Sequence, residues 1–129
     1  MTDLTPTWIT LCETCKREDW ESAGRTRADG DVFADHVETL ARDTGIKTRR
    51  VSCTMGCERA CNVIVQAKGK IGYSLGRFDG TEEDARALVD YAKLHADAPT
   101  GQVPFRTWPQ GVKGHFVSRH LPLPEADEA

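Results

Sequence analysis

The alternation of apolar and polar positions predicts the order β-α-β-β-α. Residues 7–12, T-W-I-T-L-C, are β-branched and apolar and read as a short strand. Residues 16–30 are polar and charged and read as a loop. A helix is expected over 31–43, where Phe33, Val37, Leu40 and Ala41 recur on one face at helical spacing. Asp29 or Asp31 is placed to cap it and Gly45 to stop it. T-R-R-V-S-C, 48–53, reads as a second strand. The run 61–68 reads as a buried strand, paired through a turn at Gly69 with I-G-Y-S-L-G-R-F. A second helix is expected over 81–96. Thr81 caps it, Asp84 completes the box, Glu82 and Glu83 suit the positive end of the dipole, and Ala85, Leu88, Val89 and Ala92 form its core face.

From Pro99 to Pro124 the pattern changes. Five of the six prolines fall here, with no Asp or Glu, and they forbid a long helix. Phe105, Trp108 and Phe116 are interleaved with Arg106, Lys113, His115, Arg119 and His120; H-F-V-S-R suits a short strand. The division expected is a domain over 1–98 and a proline-rich basic extension over 99–129, packed on the domain and ending in a frayed acidic tail, E-A-D-E-A.

A chain of 129 residues suits one domain with one core. Its net charge of -3 argues against a dedicated nucleic-acid binder. No apolar run approaches the ~18 residues that would span a membrane. The first residues lack the basic and apolar regions of a signal peptide, so a cytoplasmic, reducing location is expected.

In that setting the five cysteines carry the chemistry. Cys12 and Cys15 form C-E-T-C; Cys53, Cys57 and Cys61 form C-T-M-G-C-E-R-A-C. Two thiol groups far apart in sequence are what a four-thiolate centre needs, each supplying half of the ligands. The odd count fits four ligands and one spare thiol better than disulfides. Gly56 permits a tight turn whose amides could donate to cluster sulfur, and Met55 reads as apolar cover. Simple burial would account for one cysteine but not for five so grouped.

The stretch S-C-T-M-G-C-E-R-A-C-N-V-I-V-Q-A-K-G-K-I-G-Y-S-L-G-R-F-D-G-T-E-E-D-A-R-A-L-V resembles the C-terminal half of thioredoxin-like [2Fe-2S] ferredoxins, with a C-x-x-x-C pair before a hairpin and then a capped, acidic-start helix. The strand ending at Cys12 matches as well, and the resemblance covers roughly 7–97. The chain is also similar to small bacterial predicted metal-binding proteins of unknown function, some encoded near cobalamin-synthesis genes. The resemblance implies an α/β thioredoxin-like fold, a small mixed sheet flanked by two helices. It implies a [2Fe-2S] cluster for one-electron transfer or sensing, a redox or metal-metabolism protein partner, and a homodimer. Cys12 matches the first ligand, and Cys53 and Cys57 the third and fourth. The second ligand departs from the family pattern, since the available residue, Cys15, follows Cys12 by only three. Two sets therefore stand: Cys12, Cys15, Cys53 and Cys57, which is preferred, or one in which Cys61 replaces a member.

Zinc, as a structural module or a carried ion, is the main alternative, although zinc ribbons more often show C-x-x-C twice. A thiol oxidoreductase fits less well: C-E-T-C follows a strand, but Ala60-Cys61 stands where a thioredoxin site has its proline. His36 and His95, on helices, are read as surface residues. His115 and His120 are read as a solvated strand edge rather than as ligands or contacts for an anionic partner or tetrapyrrole carboxylates. Trp108 and Phe116 are expected to pack the tail onto the domain.

Overall fold

A computed structural model describes residues 6–13, 24, 26–42, 44–51, 62–78 and 80–122. The elements are β1 (Trp8–Cys12), α1 (Asp29–Ala41), β2 (Lys47–Val51), β3 (Val63–Gln66), β4 (Gly72–Leu75), α2 (Glu82–Asp97), two 3-10 turns (Phe105–Thr107 and Gln110–Val112) and β5 (Phe116–His120). The expected β-α-β-β-α order is present, and β5 extends it. The five strands form one mixed sheet in the order β2-β1-β3-β4-β5. β1 and β2 are parallel, and every other neighbouring pair is antiparallel. The parallel pair follows from α1: only a crossover can join parallel neighbours, whereas the short turn at Gly69 joins β3 to β4 as a hairpin.

Side chains alternate across each strand. Ile9, Leu11, Val63, Val65, Tyr73 and Leu75 face the helices and are buried. They form one core with Phe33 and Val37 of α1 and Leu88, Val89, Tyr91 and Ala92 of α2. The two helices also pack against each other. The opposite face carries Trp8, Thr10, Arg49, Gln66, Ser74 and His120. There Arg49 Nε donates to Thr10 Oγ1 at 2.7 Å, and the hydroxyl of Ser74 lies 2.7 Å from His120 Nε2.

Helix α2 matches its expected span within a residue, and Thr81 Oγ1 accepts from Asp84 N at 3.2 Å. Helix α1 begins earlier than expected. Ala28 occupies the N-cap without a side-chain cap, which places Asp29 and Asp31 in the first turn rather than at the cap. The helix ends at Ala41, and Gly45, with φ at +85°, belongs to the following turn instead of stopping the helix. His95 is the clearest correction. It is fully buried, because both ring nitrogens are satisfied. Its Nε2 donates to the Ile71 carbonyl at 2.7 Å, and Thr7 Oγ1 donates to Nδ1 at 2.9 Å. A neutral, doubly partnered imidazole can be buried where an unpartnered one could not.

Segment 99–122, expected as an extension, adds β5 to the sheet and Val103 and Val112 to the core. Trp108 stacks on Phe116 with ring centroids 4.3 Å apart and donates from Nε1 to the Val103 carbonyl at 2.8 Å. Both aromatics thus anchor the segment, as expected.

Candidate functional site

The strand directions bring Cys12 and the adjoining ends of β2 and β3 to one end of the sheet. Because β1 and β2 are parallel, their last residues, Cys12 and Val51, lie side by side. Because β3 is antiparallel to β1, it starts at that same end, with Val63 opposite Leu11. Backbone hydrogen bonds lock the three strand ends together: Cys12 N donates to Asn62 O at 3.3 Å, and Glu13 N to Val51 O at 3.0 Å. Cys12 is 2% exposed. β4 ends here as well, and β5 begins here, since Gly76 N donates to His115 O at 2.8 Å.

Of the five predicted thiols, Cys12 is placed by this frame, while Cys15, Cys53, Cys57 and Cys61 lie outside the described residues. So do Met55 and Gly56, the terminal E-A-D-E-A and most of the predicted 16–30 loop. Among the described residues, no three His, Cys, Asp or Glu side chains are grouped so as to hold a metal ion.

Beside this end stands an ion-pair network that the sequence reading did not single out. Arg50 pairs with Asp31 and Asp35 at 2.7 Å and with Glu38 at 2.8 Å, and lies 3.9 Å from Glu13. Arg27 meets Asp31 at 2.9 Å and Asp35 at 2.8 Å. The hydrogen bonds from Arg27, then those from Arg50, hold both aspartates below the usual carboxylate range. The acids, Glu38 first, raise the Arg50 guanidinium. Arg50 sits one residue before the end of β2, so the network ties the start of α1 to the strand that leads into the second cysteine group. The signal was present in sequence: Asp31, Asp35 and Glu38 are spaced four and three apart, one stripe of a helix.

His115 shares this end of the sheet. Its Nδ1 donates to the Gly76 carbonyl at 2.8 Å, and its ring stacks on Phe78 at 4.3 Å. β5 is three strands from β1, about 14 Å at the usual ~4.8 Å strand spacing, so His115 and Cys12 do not share one coordination sphere. His120 pairs with Ser74 on the open face, and His95 is committed to Thr7 and Ile71. His36 is half-buried on α1.

Residues 9–122 match the model of a family described as a protein of unknown function, DUF1636. The chain belongs to the DUF1636 family. The match runs through β5, so the proline-rich segment as far as Pro122 lies within the family's region. No curated protein and no solved structure matches the chain. Among the described residues, no helix is long and apolar enough to cross a membrane.

Proposed function

We propose that this DUF1636 chain is a thioredoxin-like, [2Fe-2S] ferredoxin-like protein for one-electron transfer or cluster-based sensing, with Cys12, Cys15, Cys53 and Cys57 as ligands. The observation that carries the reading is the meeting of three strand ends at Cys12, Val51 and Asn62. Cys15 follows Cys12 by three residues, Cys53 follows Val51 by two, and Cys61 precedes Asn62 by one. At ~3.8 Å between consecutive Cα atoms, covalent connectivity keeps Cys53 within about 8 Å of Val51 and Cys15 within about 11 Å of Cys12. The parallel β1-α1-β2 unit followed by β3-β4-α2 is the arrangement that the ferredoxin resemblance implies.

The donor set fits the group. Thiolates are the ligands such clusters take, two per iron. The start of α1 stands at the same end, and a helix N-terminus favours the negative charge that thiolates bring. A bound cluster would supply the one-electron couple. The chain supplies four thiolates, the Arg50 network that fixes α1 against β2, and the buried frame around Cys12.

Substitution separates the two ligand sets. Cys12→Ser and Cys57→Ser should each abolish or strongly distort the centre, read as iron, sulfide and the visible spectrum. Cys61→Ala should retain it. Full cluster content in either serine variant would sink the assignment, and loss of iron in Cys61→Ala would put Cys61 in the set.

A further inference from the structure

Three of the four exposed large apolar side chains among the described residues, Phe105, Val117 and Leu121, lie in segment 99–122. This segment holds three Lys or Arg and no Asp or Glu, so the remainder of a chain with net charge -3 carries -6. The charge of the chain is therefore sharply divided.

The cations of the segment, Arg106, Lys113 and Arg119, form no ion pairs among the described residues. They share this state with Lys47, Lys68 and Arg77, whereas Arg27, Arg50, Arg86 and Lys93 are paired. Lys113 Nζ instead lies 4.7 Å from the centroid of the Phe105 ring. That ring is 61% exposed and rests on Trp108, 4.8 Å between centroids.

The patch is firmly seated. Trp108 is held between Phe116 and Tyr91, and Val112 is fully buried. Gly111 packs on α2 so closely that a Cβ there would fall 2.6 Å from that of Ala87. An exposed aromatic ring held rigidly leaves apolar surface in water, and aromatic residues and Arg are enriched where proteins meet. Phe116 and His115 place one side of the patch at the cysteine end of the sheet.

We propose that Phe105, Arg106 and Lys113, backed by Trp108, form a docking face for an acidic protein partner that presents carboxylates beside an apolar side chain. Charge complementarity selects this partner: segment 99–122 offers three cations and no Asp or Glu of its own, while the remainder of the chain carries net negative charge. The orientation so imposed would bring the partner over the end of the sheet where Cys12 lies. The surface does not depend on which metal the cysteines hold.

The test uses the full chain as purified and a twelve-residue peptide of alternating Glu and Leu. Binding is followed by fluorescence anisotropy of the labelled peptide at low and high salt, with a single-stranded oligonucleotide and phosphatidylglycerol vesicles as competitors. The expected result is peptide binding that weakens with salt, that Lys113→Glu and Phe105→Ala each weaken by roughly tenfold, and that Lys68→Glu leaves nearly unchanged. Lys68 is exposed in the β3–β4 turn and supplies the same change of charge elsewhere. Absence of binding would overturn the proposal. So would equal weakening by Lys68→Glu, which would mean bulk charge alone, or a clear preference for the oligonucleotide or the vesicle. Metal content, measured on the same samples, leaves this result untouched, so failure of the cluster reading and failure of the docking face are separately visible.

Discussion

Replacing His95 by Leu tests how the tail-bearing half of the fold is held together. The imidazole is fully buried and bridges three pieces of chain: Thr7 before β1, Ile71 before β4, and its own helix α2. Leucine fills a comparable volume but orphans the Ile71 carbonyl and the Thr7 hydroxyl. An unsatisfied buried polar group costs about 1–3 kcal/mol, so two orphans cost about 2–6 kcal/mol, offset by roughly 1 kcal/mol of added apolar burial. The expected net loss is about 1–5 kcal/mol, a large part of the ~5–15 kcal/mol that holds a domain of this size together. Urea unfolding followed by tryptophan fluorescence measures it. Adding Thr7→Val to His95→Leu removes one orphan, so the double variant should be more stable than the sum of the two single losses implies. The pH dependence gives a second reading. Burial, the largest cause, pushes the His95 imidazole below its ordinary value of 6.5. The unfolded chain therefore takes up this proton first as the solution is acidified. The stability that neutral His95 contributes is present above about pH 6.5 and is lost as pH falls below it. The parent should lose stability over that range more steeply than His95→Leu. A loss under about 0.5 kcal/mol, or identical pH slopes, would refute the reasoning.

Two further substitutions probe neighbouring features. Gly101 has φ at +85°, and a Cβ there would meet the Ile71 carbonyl at 2.7 Å and His95 Nε2 at 2.9 Å, so Gly101→Ala should cost more than the ~1–2 kcal/mol of a left-handed backbone alone; an unchanged thermal midpoint would contradict this packing. Arg50→Met should cost about 1 kcal/mol, because the carboxylates it binds are partly exposed and screened, and 1 M salt should shrink the difference; Arg50→Lys should recover part of it, as a point charge cannot reproduce the forked contacts. A loss for Arg50→Met that salt leaves untouched would show that packing, not charge, holds α1 to β2.

Local signals carried much of this architecture in the sequence. Thr81 followed by three acids marks the start of α2, and the apolar repeat at Leu88, Val89 and Ala92 marks its buried face. The same repeat contained His95, three residues beyond Ala92 and seven beyond Leu88, but a polar residue type outweighed its position. Its partners, Thr7 and Ile71, are remote in sequence and set by sheet order, which periodicity does not report. The prolines of 99–122 forbade a helix correctly, yet gave no sign that Phe116–His120 would pair with β4, since an edge strand is decided by what lies beside it. The sequence pattern sets the start of α1 late, because it predicts a side-chain cap where Ala28 provides none. Of the candidate cysteine site, the grouping is legible in the sequence alone. The meeting of β1, β2 and β3 at Cys12 needed the strand directions.

The most direct test of the cluster reading is anaerobic purification of the full chain, followed by iron, sulfide, zinc and cobalt analysis with a visible spectrum. The account predicts two irons and two sulfides per chain, and a spectrum that bleaches under dithionite. One zinc per chain without colour, or no metal at all, would contradict it.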